Sequence, residues 1–152
     1  IMELSEEDKK QFHELITLLK LQMIQAVQIH AERSKFGALN FENKKFNISW
    51  NQAFADGDPL TLEDNRLLFR PRYIVDIKLG DEHIFHQQIV YGIAFTVSDI
   101  ERFKAIWNKQ PVKECFQQKQ LMKTLWPYIR QQVTDSMNRL DLQAVPLPWI
   151  VE

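Results

Sequence analysis

The sequence predicts an α+β fold in which an antiparallel sheet carries helices on one face. Three observations lead there. Residues 69–97 alternate apolar and polar side chains around a Gly80-Asp81 turn, the pattern of a long β-hairpin. Residues 99–140 repeat apolar side chains every three to four positions, the helical period. Strand-like segments come first and the main helices follow, which is the α+β order.

Ser5 and Asp8 form a capping box, and Phe12, Leu15, Ile16 and Leu19 then recur at helical spacing, so the chain opens with a short helix. From Leu21 the pattern changes to Leu21, Met23, Val27, Ile29 and Ala31 with Gln22, Gln28, His30 and Glu32 between them, closer to a half-buried strand. A loop with Gly37, Asn40 and Asn43 leads to Phe46, Ile48 and Trp50 on a second strand, ended by the turn Asp56-Gly57-Asp58-Pro59. On the third strand Phe69, Pro71, Tyr73, Val75, Ile77 and Leu79 share one face, and Pro71 requires an edge position or a bulge. The fourth carries Phe85, Ile89, Tyr91, Ile93, Phe95 and Val97. Ser98 and Glu101 make a second capping box, starting a helix from Asp99 to Trp107 that Asn108 and Pro111 interrupt.

The last helix runs from Lys113 to Leu140, with Leu125, Ile129, Val133, Met137 and Leu140 on one side and Pro127 in its interior, where a proline removes a hydrogen bond. Beyond it, Val145, Leu147 and Trp149 alternate with Pro146 and Pro148 in an extended apolar tail. The expectation is a four-stranded antiparallel sheet with two C-terminal helices on one face and an extra N-terminal helix. Residues 1–20 form the extension and 21–152 the main domain.

At 152 residues, 45% hydrophobic and 26% charged, the chain has the profile of one soluble globular domain. Its 19 basic and 20 acidic residues are dispersed, with no Lys/Arg cluster, which disfavours nucleic acid as a partner. The longest nearly unbroken apolar run, Ile89 to Val97, falls far short of the roughly 20 residues a spanning helix needs. No charged-then-apolar segment opens the sequence, so a cytoplasmic location without membrane insertion is expected. The single cysteine, Cys115, fits a reducing compartment.

Catalytic constellations are not evident. The four glycines have no phosphate-loop spacing. His83 and His86 stand three apart on a strand and point to opposite faces, so a shared metal is not expected. Cys115 has no nearby histidine in sequence and reads as a small buried hydrophobe. Asp56 and Asp58 could be an acid pair, but DGDP is ordinary turn chemistry. Neither enzyme activity nor a cofactor or metal is predicted. What stands out is aromatic surface: Phe36, Phe41 and Phe46 on or beside the first long loop, Trp126 and Tyr128 flanking Pro127, and Trp149 in the tail. Such residues either bind a partner or complete the core.

The order of these elements resembles SecB, the protein-export chaperone, and its SecB-like relatives. The pieces that carry the resemblance are the long crossover loop, the hairpin LLFRPRYIVDIKLGDEHIFHQQIVYGIAFTV with its mid-strand Tyr-Gly, and above all LWPYIRQQVTDSM followed by the Pro-rich end. The similarity covers Leu21 to about Trp149. It implies an ATP-independent holdase, assembled as a homotetramer (a dimer of dimers), that holds unfolded polypeptides in apolar grooves. Phe36 and Phe41 on the loop, Phe85 on the hairpin, and Tyr128, Ile129 and Val133 on the helix would line the groove. It also implies that Pro127 falls in the first turn of the long helix, with a separate helical piece before Leu125.

In the export proteins, acidic residues on the outward sheet face dock the motor SecA. Gln28 and Gln88 occupy two of those places here, and Glu32 alone is acidic. The client expected from the resemblance is therefore either an exported protein or a dedicated one, such as the antitoxin of a toxin-antitoxin pair. The competing class is a non-chaperone oligomeric interaction or scaffold protein that uses the same apolar surface for its own assembly.

Overall fold

The computed structural model describes residues 4–37, 39, 44–54, 58–143 and 145–148; Phe41, Asp56 and Trp149 lie outside them. The elements are α1 (Glu6–Leu18), β1 (Leu19–Arg33), β2 (Phe46–Phe54), β3 (Leu60–Leu62), β4 (Arg66–Phe69), β5 (Pro71–Leu79), β6 (Glu82–Val97), α2 (Ile100–Trp107) and α3 (Gln110–Cys115). A π-helical segment (Phe116–Leu121) and α4 (Met122–Arg139) complete the order.

α1 begins as its cap dictates: Ser5 Oγ accepts from the Asp8 N–H at 3.1 Å, and Glu6, Glu7 and Asp8 sit where the helix dipole favours acids. It runs into β1 with no intervening loop, so the strand starts two residues earlier than the sequence pattern places it. The helix is packed on α2 and α3. Leu15 is completely buried, and Arg102 of α2 reaches back to Glu14 with two guanidinium N–H groups, Nη2 donating to Oε1 at 2.7 Å. That fork holds the Glu14 carboxyl below its ordinary pKa.

The sheet is organised around β6. β1 pairs antiparallel along its whole length on one side. On the other side β5 pairs with the first half of β6 and β4 with the second, while β2 and β3 lie outside β5 and β4 respectively. The expected third strand is thus β4 and β5 with a break at Arg70, and the sheet is four rows wide. Pro71 is neither on an edge strand nor in a bulge. It opens β5, an interior strand, where the break at Arg70 removes the need for a ladder N–H.

β1 has bulges between Leu21 and Met23 and between Ala26 and Gln28, which is why its alternation drifts in sequence. Gly92 on β6 lies beside the second: a Cβ there would meet Val27 Cγ1 at 3.4 Å and Leu68 Cδ1 at 3.6 Å. These are ordinary contact distances, so space alone does not require a glycine in the mid-strand Tyr-Gly pair.

The odd positions of β5 and β6 form the buried face, from Tyr73 to Leu79 and from Phe85 to Val97. Against it pack Phe103, Ile106 and Trp107 of α2, Val112 of α3, Phe116 and Leu121 of the π segment, and Leu125, Ile129, Val133 and Met137 of α4. Each such side chain contributes about 1.5–3 kcal/mol on removal from water. Asp99, not Ser98, caps α2, accepting from the Arg102 N–H at 3.0 Å, so the boundary lies one residue later than the capping-box reading.

Residues 110–139 are helical throughout. Pro127 is the sixth residue of α4 rather than part of its first turn, so the continuous-helix reading holds and the separate piece before Leu125 is not found. Pro127 is exposed, which leaves the carbonyl of the exposed Lys123 where water can reach it. In the π segment, the Gln117 carbonyl accepts from Gln52 Nε2 of β2 at 2.9 Å; the same amide donates to the Tyr73 hydroxyl.

Candidate functional site

Beyond α4 the chain closes its helix with Asp141 at φ +56° and folds back along the helix. Leu142, Val145 and Leu147 are buried, and Trp126 Nε1 donates to the Pro148 carbonyl at 2.6 Å, fastening this strap. Trp126 also packs on Trp50 of β2, ring centres 4.9 Å apart. The strap and α4 leave an open groove of about 490 Å³ between them. Pro127, Val145, Pro146 and Leu147 form apolar walls, and Arg130, Gln131 and Thr134 supply charge and hydrogen-bonding groups. Apolar walls with a few polar contacts are what an extended chain segment needs.

The expected groove residues separate into two groups. Phe36 is 100% exposed, Tyr128 on the outer arc of α4 is 49% exposed, and Phe46 is partly buried. Phe85, Ile129 and Val133 have no exposure and Trp126 almost none, so the structure places them in the core beneath the surface rather than on it. Phe41 and Trp149 fall outside the described residues.

On the opposite face of the sheet, the β1–β6 register sets Gln28 beside Val90, His30 beside Gln88 and Glu32 beside His86. Gln28, Glu32 and Gln88 therefore share the outward face. Next to them His86 Nδ1 lies 2.6 Å from Asp76 Oδ1, and Gln88 Nε2 lies 3.3 Å from His86 Nε2. Which ring nitrogen donates and which accepts depends on the tautomer, and both have a polar partner on this face. His83 is exposed and sits opposite Lys78, past a bulge that leaves Ile84 unpaired in the ladder. Among the described residues no group of three or more His, Cys, Asp or Glu side chains could hold a metal ion.

The remaining chemical candidates have structural partners. Burial raises the Cys115 thiol above its ordinary pKa, with Lys119 and Lys123 opposing, so the thiolate nucleophile is disfavoured. Asp58 accepts from Lys113 Nζ and from Trp107 Nε1 at 2.8 Å. These contacts hold its carboxyl low and tie the segment after β2 to α2 and α3. No helix among the described residues is long and apolar enough to cross a membrane.

One further surface was not foreseen as a site. β1 exposes Leu21, Met23, Val27 and Ile29 along a 15-residue strand whose second edge is unpaired among the described residues. The apolar residues were legible in sequence, but a half-buried strand and an edge strand give the same alternation.

A solved structure superposes on 94% of this chain and 98% of its own, with a TM-score of 0.71 at 13% identity. It is the Mycobacterium tuberculosis Rv1957 SecB-like chaperone in complex with a ChAD peptide from the Rv1956 HigA1 antitoxin. The fold is SecB-like. A protein of unknown function from Streptococcus agalactiae is a weaker likeness, with a TM-score of 0.36 at 10% identity over 86% of this chain and 97% of that one. No protein-family model and no curated protein matches the sequence.

Proposed function

We propose that the protein is an ATP-independent holdase chaperone that binds unfolded polypeptide on apolar surface, chiefly through Phe36, Tyr128 and the groove between α4 and the C-terminal strap. The observation that carries this reading is the SecB-like fold combined with large aromatic side chains held in water. The groove adds a single charged side chain, Arg130, to its apolar walls among the described residues. Affinity then comes from apolar burial at about 25 cal/mol per Å², which tolerates many client sequences. Phe46 borders the surface, while Phe85, Trp126, Ile129 and Val133 act from below by fixing its shape.

The ChAD peptide bound to the M. tuberculosis neighbour favours an antitoxin-like client over a general export role. The outward face agrees, since Gln28 and Gln88 remove charge that docking to SecA would use and leave Glu32 next to His30. A homotetramer is part of the reading, because the apolar β1 edge is a surface that a second copy would cover. The same edge favours the alternative of an oligomeric scaffold without client binding. Tyr128→Ala separates them. We expect a loss of about 1–3 kcal/mol in binding to an unfolded client, with weaker suppression of its aggregation and an unchanged Tm. A wild-type protein that suppresses no aggregation would leave the scaffold reading standing, and full suppression by Tyr128→Ala combined with Phe36→Ala would move the client surface away from these two side chains.

A further inference from the structure

One guanidinium joins the end of β1, the start of the crossover loop and the end of α4. Arg33 Nε donates to the Lys35 carbonyl at 2.7 Å, and Nη2 donates to the Gly37 carbonyl. Nη1 donates to the carbonyls of Leu140 at 3.0 Å and Asp141 at 3.2 Å. The helix end prepares two of these acceptors. The Leu142 N–H returns to Met137 O at 2.9 Å and the Asp141 N–H to Asn138 O at 3.2 Å, a Schellman closure with Asp141 in the left-handed region. The carbonyls of Leu140 and Asp141 are then free for an outside donor at the negative end of the helix dipole, where a cation is favoured.

The loop is shaped to the same cation. Gly37 has φ +96°, a conformation that glycine adopts without steric cost and that turns its carbonyl back toward Arg33. The Ser34 N–H to Ile84 O at 3.1 Å and the Lys35 to Glu82 ion pair at 3.1 Å hold the loop start to β6. Phe36 lies between the two loop carbonyls that Arg33 holds, and its side chain is entirely in solvent. A large aromatic fixed outward on a tied backbone has its ordering cost met during folding instead of on binding.

We propose that Arg33 is a positioning residue for client binding: it clasps residues 35–37 to the end of α4 and so presents Phe36 as a pre-ordered anchor. The proposal rests on the holdase reading for its ligand, though not for the clasp itself. Lysine cannot replace the arginine fully, since a point charge does not span four carbonyls as a planar fork does.

The test uses the full-length protein, with reduced and carboxymethylated α-lactalbumin as a permanently unfolded probe. Hydrogen exchange at residues 34–37 and 140–142 is read alongside probe affinity by fluorescence anisotropy. Arg33→Gln should speed exchange in both segments about tenfold by releasing them to local opening, with Arg33→Lys between it and the wild type. Arg33→Gln and Phe36→Ala should each weaken probe binding about fivefold, with only the former changing exchange. The double variant should bind no more weakly than Phe36→Ala alone, because Arg33 acts through Phe36. Unchanged exchange in Arg33→Gln, or losses that multiply in the double variant, overturns the proposal. If Arg33→Gln does not fold, Arg33→Lys, which keeps the charge at the helix end, carries the same comparison. A wild-type protein that does not bind the probe overturns the holdase reading and the affinity half of this proposal, while exchange still decides whether Arg33 holds the loop.

Discussion

Ser136 is the polar point of an otherwise apolar interface between α4 and the sheet. Its hydroxyl oxygen accepts from Gln87 Nε2 at 2.9 Å and from Gln132 Nε2 at 3.3 Å, while Gln87 is fully buried with Oε1 unpaired. Removing one partner of such a pair costs more than removing both, because the survivor keeps its desolvation penalty. Ser136→Ala should therefore lose about 1–3 kcal/mol in urea denaturation, and Gln87→Met added to it should recover most of that loss. If the double variant is the less stable of the two, the amide has another partner. Gln87 is legible in sequence as a gap in the apolar odd positions of the hairpin, but nothing in a strand pattern says which helix residue meets it. The site residues divide similarly. Exposed Phe36 and Tyr128 could be suspected from type and position, whereas Arg130, Gln131 and Thr134 become a site only because the tail folds back beside them.

At the scale of elements, α4 tolerates Pro127 because its cost falls on the solvent side. The missing N–H would have bonded to Lys123 O, and both residues are exposed. Pro127→Ala restores that bond and removes the ring clash, but frees the unfolded chain. We expect a net gain of about 1 kcal/mol, seen as a Tm increase of a few degrees, given the opposing terms. A lower Tm would mean that the proline ring supports the strap at Val145 and Leu147 more than it strains the helix. The hairpin and the main helices were legible because burial of one face imposes a strict period on each. β3 and β4 were not, because Leu60–Leu62 and Arg66–Phe69 are too short to establish one, and they pair around Asp64 and Asn65, both at positive φ. The resemblance implied a long helix starting near Leu125 with Pro127 in its first turn, whereas the π segment carries the helix through without a break and leaves Pro127 in its interior.

For the whole molecule the open question of shape is what covers β1. A long, apolar edge strand is a template for another strand, and soluble proteins usually blunt such edges with charge, proline or a covering element. Here Leu21, Met23, Val27 and Ile29 are each exposed by two-fifths or more, and between Lys20 and Glu32 the strand carries no Lys, Arg, Asp or Glu. Pairing with a second β1 would extend the sheet across two copies and bury both stripes, the isologous arrangement that a two-fold axis generates. Two bulges limit where such pairing can register, placing the uninterrupted run at Gln28–Arg33. Val27→Lys with Ile29→Lys puts two cations on that edge at positions that are themselves exposed. Light scattering at micromolar concentration should read an oligomer for the wild type and a smaller species for the double variant, with far-UV circular dichroism unchanged. A wild-type monomer sinks the assembly outright. An oligomer of unchanged mass in the double variant would move the interface away from β1, to the helical layer or the strap, and would leave the exposed stripe available to clients instead.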